Sequence, residues 1–274
     1  MKNTQSDVIS HDIPKAIVEA DTGIKVVDEA IESLYNNGYM HNHMRMYVAS
    51  ICCNIAKCHW LTPARWMYLH LLDGDLASNQ LSWQWVAGAF SNKKYYANQG
   101  NINKFFNSNQ SGTFLDVDYS VFPEMDIPKK LEEAVVFTSN LELPKIERPK
   151  LDKNKTTLIY NYYNLDPEWK KEEDRQRVLL LEPSVFKKFP LAKKNIQFIL
   201  DLAANIDGIE VFIGEFHELE SEIGIENIIY KEHPLNKHYK GAEETRDWIS
   251  SVTGYHSSFF SFWKKVKKEI RPIT

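Results

Sequence analysis

Two stretches, MHNHMRMYVAS (Met40–Ser50) and LLDGDLASNQLSWQW (Leu71–Trp85), decide how the first half of the chain folds. In the first, Asn42, Arg45, Met46 and Ala49 recur at i, i+3, i+4 and i+7, so a helix from Asn42 sets them on one face. That face carries an amide, a guanidinium and a thioether beside a small residue that permits close approach. In the second stretch Gly74 supplies a turn, and a helix beginning near Asp75 aligns Asp75, Asn79 and Trp83 at i, i+4 and i+8. Asp73, across the turn, is placed to pair with Arg45 bidentately. A carboxylate, an amide and an indole in one stripe suit a planar heterocycle with donors and acceptors on its edge. The same residues also allow a plainer reading, in which Asp73 and Asp75 cap a helix and the tryptophans fill a core.

Outward from this centre the first half reads as helical. Ile24, Val27, Ile31, Leu34 and Tyr35 keep helical spacing, and Asn37-Gly38 supplies a stop. Met44, Val48, Ile51, Cys52 and Ile55 form a second stripe, and Ala64–Leu72 and Leu76–Phe90 predict two further helices. Tyr95–Tyr119 is polar and rich in Asn and Gly, which predicts mostly loop. NLELPKIERPKLDKNK (Asn140–Lys155) has two prolines, many charges and no apolar period, and reads as an extended linker between a helical region, 1–139, and a second domain, 156–274. In that domain Thr156–Tyr162, Val178–Leu181, Ile209–Ile213 and Ile228–Tyr230 are short β-rich runs. The amphipathic Lys194–Asn205 lies between the second and third, with Gly208 at the turn. This order predicts a small parallel, Rossmann-like α/β sheet, so the fold class is α + α/β. No GxGxxG or phosphate-loop motif accompanies the strands. Ser257–Ile270, with Phe259, Phe262, Trp263 and Val266 backed by four lysines, reads as a docking helix with one solvated face, with a membrane or nucleic-acid contact as the second reading.

Composition narrows the class. The 274 residues are 43% hydrophobic and 26% charged, which excludes a fibrous or disordered chain. Residues 1–140 hold 11 basic and 15 acidic side chains and the remainder 22 of each, so neither half is the basic domain of a dedicated nucleic-acid binder. No apolar run is long enough to span a membrane, and MKNTQSDVISHD is no secretory signal, so no membrane partner and a cytoplasmic location are expected. Cys52, Cys53 and Cys58 lack the spacing of a metal site and read as small buried hydrophobes. His41 and His43, two apart on the expected helix, should not face each other, and no metal is expected.

Taken together, Thr22–Ser50, His59-Trp60 and Leu71–Trp85 closely resemble the C-terminal half of the FAD-binding domain of DNA photolyases and cryptochromes. HN-x-x-R-M followed by DGDLA-x-N-x-x-x-W-Q-W carries the resemblance, which extends over residues 13–105. RVLLLEPSVF (Arg177–Phe186) and IEVFIGEFHEL (Ile209–Leu219) look like that superfamily's α/β domain, here following the flavin region and shortened.

The resemblance implies FAD as cofactor. It implies that Asn42, Arg45, Asp73, Asp75 and Asn79 line the isoalloxazine and ribityl regions, with Arg45 and Asp73 salt-bridged. Trp83 and Trp60 match the first two members of the tryptophan electron relay, while Ile17 stands where a third is expected. Met46 and Trp85 match the wall of the pocket that takes a flipped-out pyrimidine dimer, and His43 stands at the substrate-contacting position where an arginine is usual. The family's diphosphate loop belongs ahead of residue 13, so the resemblance further implies a partner subunit or a homodimer that completes the site. Two functions follow: light-driven electron transfer with repair of damaged DNA, or a non-catalytic photolyase-like partner that binds no FAD alone and acts through protein–protein contact.

Overall fold

The computed structural model describes residues 4–90, 93–139 and 142–270, so Asn140 and Leu141 of the expected linker lie outside it. The chain divides into two compact units. One comprises the residues up to Pro144 together with Ser184–Leu202; the other comprises Lys145–Pro183 and the residues from Ala203 onward.

The first unit is helical. Its elements are α1 (Lys15–Val18), α2 (Lys25–Asn37), α3 (Asn42–Ser50), α4 (Leu61–His70), α5 (Leu76–Val86) and α6 (Gln99–Phe106). A short antiparallel ribbon, β1 (Ile13–Pro14) with β2 (Ala134–Val135), ties its ends together. The apolar period of α2 buries Val27, Ile31 and Leu34. The helix stops at Gly38, whose φ of 71° lets its N–H reach Leu34 O at 3.0 Å. The second predicted stripe is two elements in one: α3 runs into a π-helical turn over Ile51–Ile55, with Ala56 N bonded to Ile51 O at 2.8 Å. All five residues of that turn are buried, and Asn54 Nδ2 donates to Val86 O at 3.0 Å and Tyr95 O at 2.7 Å. Trp66, Trp83 and Tyr47 are the largest fully buried side chains of the core. Cys52, Cys53 and Cys58 are buried free thiols, and burial pushes the Cys58 thiol up to about 12.

Three expectations are refined or change. Tyr95–Tyr119 is mostly loop, as expected, but it also holds a helix, α6, over Gln99–Phe106. The asparagines that suggested a loop are its ends: Asn98 Oδ1 accepts from Asn101 N at 2.9 Å, and Asn107, at φ 49°, closes the helix. Leu76–Phe90 stops being helical at Val86, before Gly88 at φ 74°. His41 and His43 do face each other: their rings stack at 5.5 Å, because His41 caps α3 instead of belonging to it.

Segment 184–202 joins the first unit through backbone acceptors. Ala192 N bonds Leu69 O at 2.8 Å, Lys194 Nζ donates to Leu34 O and Tyr35 O, and Asn195 Nδ2 donates to Leu71 O at 2.7 Å. It carries most of α7 (Pro183–Lys188) and of α8 (Lys193–Ala203).

The second unit is built on a parallel sheet of β3 (Thr157–Tyr160), β4 (Gln176–Leu181), β5 (Ile209–Ile213), β6 (Ile228–Lys231) and β7 (Ala242–Glu244). The order is β5-β4-β3-β6-β7, with Ile159 opposite Val178 on one side and Tyr230 on the other. The chain thus starts at the centre, winds to one edge and returns to the other, the doubly wound pattern. β7 has three residues and no apolar run to announce it. Ile159, Val178, Leu180 and Phe212 from the strands meet Phe216, Leu219 and Ile223 of α9 (Phe216–Ile223) in the core. Glu182, buried just beyond β4, accepts from Phe216 N at 3.1 Å and Tyr239 Oη at 3.0 Å and lies 2.8 Å from His238 Nε2. The last helix, α10 (Phe259–Glu269), is capped by Ser258, whose hydroxyl oxygen accepts from Ser261 N at 3.2 Å. Of its residues only Val266 is buried, so the aromatic face expected to dock stays largely exposed.

Candidate functional site

An open cleft of about 510 Å³ lies in the helical unit, lined by α3, the turn at Leu71–Asp75 and α5. Its residues are set by two helical periods. From α3 come Asn42, Arg45, Met46 and Ala49; from α5 and its cap come Asp75, Ser78, Asn79, Ser82, Trp83 and Val86. The second set is spaced i, i+3, i+4, i+7, i+8 and i+11, a single face over three turns. Ser78 and Ser82 were missed from the sequence, although extending the Asp75–Asn79–Trp83 stripe by its i+3 neighbours would have found them. Gly74 allows the turn to pass closely, since a Cβ there would stand 3.2 Å from both Leu71 Cβ and Leu71 O.

The polar groups are anchored. Arg45 Nε donates to Met40 O at 2.8 Å, and Nη2 lies 2.8 Å from both Asp73 Oδ1 and Oδ2. The expected bidentate pair is therefore a single nitrogen shared between two oxygens, because the Met40 carbonyl takes Nε. Asp75 Oδ1 accepts from Ser78 N at 2.7 Å, so Asp75 is the N-cap of α5 while also lining the cleft. Asn79 Nδ2 donates to Ala64 O at 2.9 Å, which fixes the amide and leaves its carbonyl as the acceptor to offer a ligand. Beneath these, Trp83 is 1% exposed.

Seven of the residues singled out from sequence therefore share one cleft: Asn42, Arg45, Met46, Asp73, Asp75, Asn79 and Trp83. His43, Trp60 and Trp85 are not in its lining. His43 belongs to an aromatic group with His41, Phe105 at 4.8 Å and Tyr47 at 6.3 Å. Trp60 is buried at the N-terminus of α4, where its backbone N–H meets Gln5 Oε1 at 2.9 Å and its Nε1 has no hydrogen-bond partner. Trp85 is 41% exposed and packs its ring against Tyr95 at 5.5 Å. Among the described residues no group of three or more His, Cys, Asp or Glu side chains is arranged to hold a metal ion, and no helix is long and apolar enough to cross a membrane.

An apolar floor of Trp83, Val86, Leu71, Ala49 and Met46, rimmed by amide, guanidinium, hydroxyl and carboxylate groups, fits a flat ring system with a polar edge.

Comparison with known proteins agrees with this chemistry. Residues 3–121 match the family described as the FAD binding domain of DNA photolyase. The chain is similar to the deoxyribodipyrimidine photo-lyase of Streptomyces griseus, 46% identical over 67 residues, which are 24% of this chain and 15% of that protein. It is similar to that of Escherichia coli, 32% identical over 118 residues, 41% of this chain and 24% of that one. With that of Buchnera aphidicola it shares 26% identity over 145 residues, 53% and 27% of the two chains. In all three the matched stretch covers about a quarter or less of the relative's length. No solved structure gives a significant match.

Proposed function

Residues 3–121 are a partial FAD-binding domain of the DNA photolyase/cryptochrome superfamily, and from that premise we propose that this chain is a photolyase-like flavoprotein holding FAD in the cleft between α3 and α5. The observation that carries the reading is the convergence of Arg45, Asp73, Asp75, Asn79 and Trp83 on that one cleft. FAD supplies light-driven electron transfer when it is bound; the protein supplies position, polarity and exclusion of water.

Each residue then has a task. Asn79, its amide nitrogen held by Ala64 O, offers Oδ1 to an N–H on the ring edge. Arg45, clamped by Met40 O and Asp73, presents its remaining Nη1 donor in a fixed plane to carbonyl acceptors. Ser78, Ser82 and Asn42 offer hydroxyl and amide groups to a polyhydroxylated chain. Trp83 seals the floor against water, and with Trp60 it is the oxidisable side chain that the superfamily pattern assigns to electron supply. Trp85, half-exposed beside Tyr95, offers a face on which an extruded base can stack, and Met46 and His43 stand on the same helix as Arg45. Pyrimidine dimers in DNA are the substrate class this reading names, with a partner subunit or second copy completing the FAD site.

The test is titration of the purified chain with FAD, followed by flavin absorbance and fluorescence. Saturable binding, weakened at least about tenfold in Asn79→Ala and Arg45→Ala with the helical circular dichroism unchanged, supports the reading. A chain that takes up no FAD, alone or with added partner, overturns it and leaves the non-catalytic partner role. With FAD bound, light-dependent reversal of a thymine-dimer oligonucleotide tests the repair step, and its absence removes DNA repair while keeping the flavoprotein.

A further inference from the structure

We propose that the outer face of α10 is a binding surface for single-stranded nucleic acid, separate from the cleft. Phe260, Lys264, Lys267 and Lys268 stand at i, i+4, i+7 and i+8, so one ring and three cations share a face. Phe259 and Trp263, at i and i+4 on the neighbouring stripe, hold their rings nearly parallel at 6.1 Å and 12°. These are not core residues: Phe260 is 79% exposed, Phe259 65% and Trp263 38%, and all four lysines of the helix are exposed. The one acidic residue of the helix, Glu269, sits at its last turn, where Ser250 Oγ at 2.9 Å and Ser251 N at 2.8 Å engage its carboxylate. The cationic face therefore carries no internal neutralising partner.

Charge and shape together choose the occupant. A run of lysines calls for a polyanion, and exposed rings beside it call for flat groups to cover them. An anionic bilayer satisfies the first demand but needs the centre of the helix's apolar sector to enter the lipid. That centre is Val266, 3% exposed and turned into the protein, with Phe262 and Ile270 half-buried beside it. A single strand needs only what is open: phosphates along Lys264, Lys267 and Lys268, and bases on Phe260, Phe259 and Trp263. Duplex DNA offers the same phosphates but keeps its bases stacked away from the rings.

The experiment is fluorescence anisotropy of a labelled oligothymidylate with the full chain, in the dark and without added FAD. Three neutralised phosphates predict a slope of about −2 for log affinity against log salt. Phe260→Ala or Trp263→Ala should weaken binding about tenfold. Lys264→Ala with Lys267→Ala should flatten the salt slope by about 1.4, while Tyr119→Ala, which removes an exposed ring outside α10, leaves the affinity unchanged. All these side chains are exposed, and circular dichroism checks that α10 remains helical. The proposal is overturned by an oligothymidylate that does not bind, or by a blunt duplex that binds as tightly. It is equally overturned by binding lost in Trp85→Ala but kept in Phe260→Ala, or by binding to phosphatidylserine vesicles in place of the strand. FAD uptake, measured separately, reports on the cleft, so either reading can fail while the other stands.

Discussion

Arg45 and Asp73 meet through one nitrogen and two oxygens: Nη2 lies 2.8 Å from Oδ1 and 2.8 Å from Oδ2, while Nε is spent on Met40 O. The guanidinium side chain is 22% exposed and the carboxylate 56%, so the pair is asymmetric. Removing the exposed partner, Asp73→Ala, should cost less than about 1 kcal/mol in urea unfolding, because solvent screens the lost attraction. Arg45→Ala should cost more, about 1–2 kcal/mol, since it also strips Met40 O of its donor. Equal costs for the two variants would show that the ion pair, not the carbonyl contact, holds the turn.

Asp75 caps α5 and also lines the cleft, and variants separate the cap from contact with a ligand. Its carboxylate accepts from Ser78 N at 2.7 Å, so Asp75→Ala should destabilise the helical unit by about 1 kcal/mol. Asp75→Ser keeps a capping oxygen and should restore most of that stability. If the carboxylate also contacts FAD, both variants lose flavin affinity alike. A serine variant with normal FAD affinity would confine Asp75 to capping.

The legible parts of this molecule are those that repeat along a helix. Asn42, Arg45, Met46 and Ala49, and Asp75, Asn79 and Trp83, could be placed on common faces because 3.6 residues per turn fixes their neighbours whatever lies outside. The Arg45–Asp73 pairing needed only the Gly74 turn in addition. What escaped depends on partners remote in sequence. The π-helical turn at Ile51–Ile55 coincides with Asn54 reaching Val86 O and Tyr95 O, contacts that no local period encodes. α6 hid behind Asn98 and Asn107, which look like loop residues and serve as caps. The stacking of His41 on His43 follows from His41 standing outside α3 as its cap, where the spacing rule for two residues within a helix no longer applies.

Acid should weaken the helical unit through His70. Burial, with a smaller contribution from the Lys194 charge, pushes this imidazole down to about 4, where it packs against Tyr35 at 4.7 Å and Trp66 at 6.1 Å. The unfolded chain takes up the proton near its ordinary value of 6.5 and the folded one only near 4, so the unfolded state binds more protons between these limits. Stability is therefore whole above pH 6.5 and falls as the pH drops toward 4. Between pH 7 and pH 5 the loss attributable to His70 should be about 2 kcal/mol. Urea unfolding followed by tryptophan fluorescence measures it, and His70→Leu should flatten the profile in that window. A variant as pH-sensitive as the parent would assign the effect to other groups.

Gly38 links the end of α2 to the turn that carries Asp73. Its φ of 71° lies where a side chain costs about 1 kcal/mol or more, and a Cβ would fall 2.5 Å from Leu72 Cγ. Gly38 O also accepts from Leu72 N at 2.9 Å, so the two residues are fastened at the backbone and crowded at the side chain. Gly38→Ala should therefore destabilise by about 2 kcal/mol, part from the backbone and part from displacing Leu72. In a Leu72→Ala background the second part vanishes, and the same substitution should cost about 1 kcal/mol. Because Leu72 precedes Asp73, the single variant should also loosen the Arg45–Asp73 contact and lower FAD affinity, whereas the double variant recovers it. An identical cost in both backgrounds would mean that Leu72 moves aside freely and that only the backbone conformation at Gly38 matters.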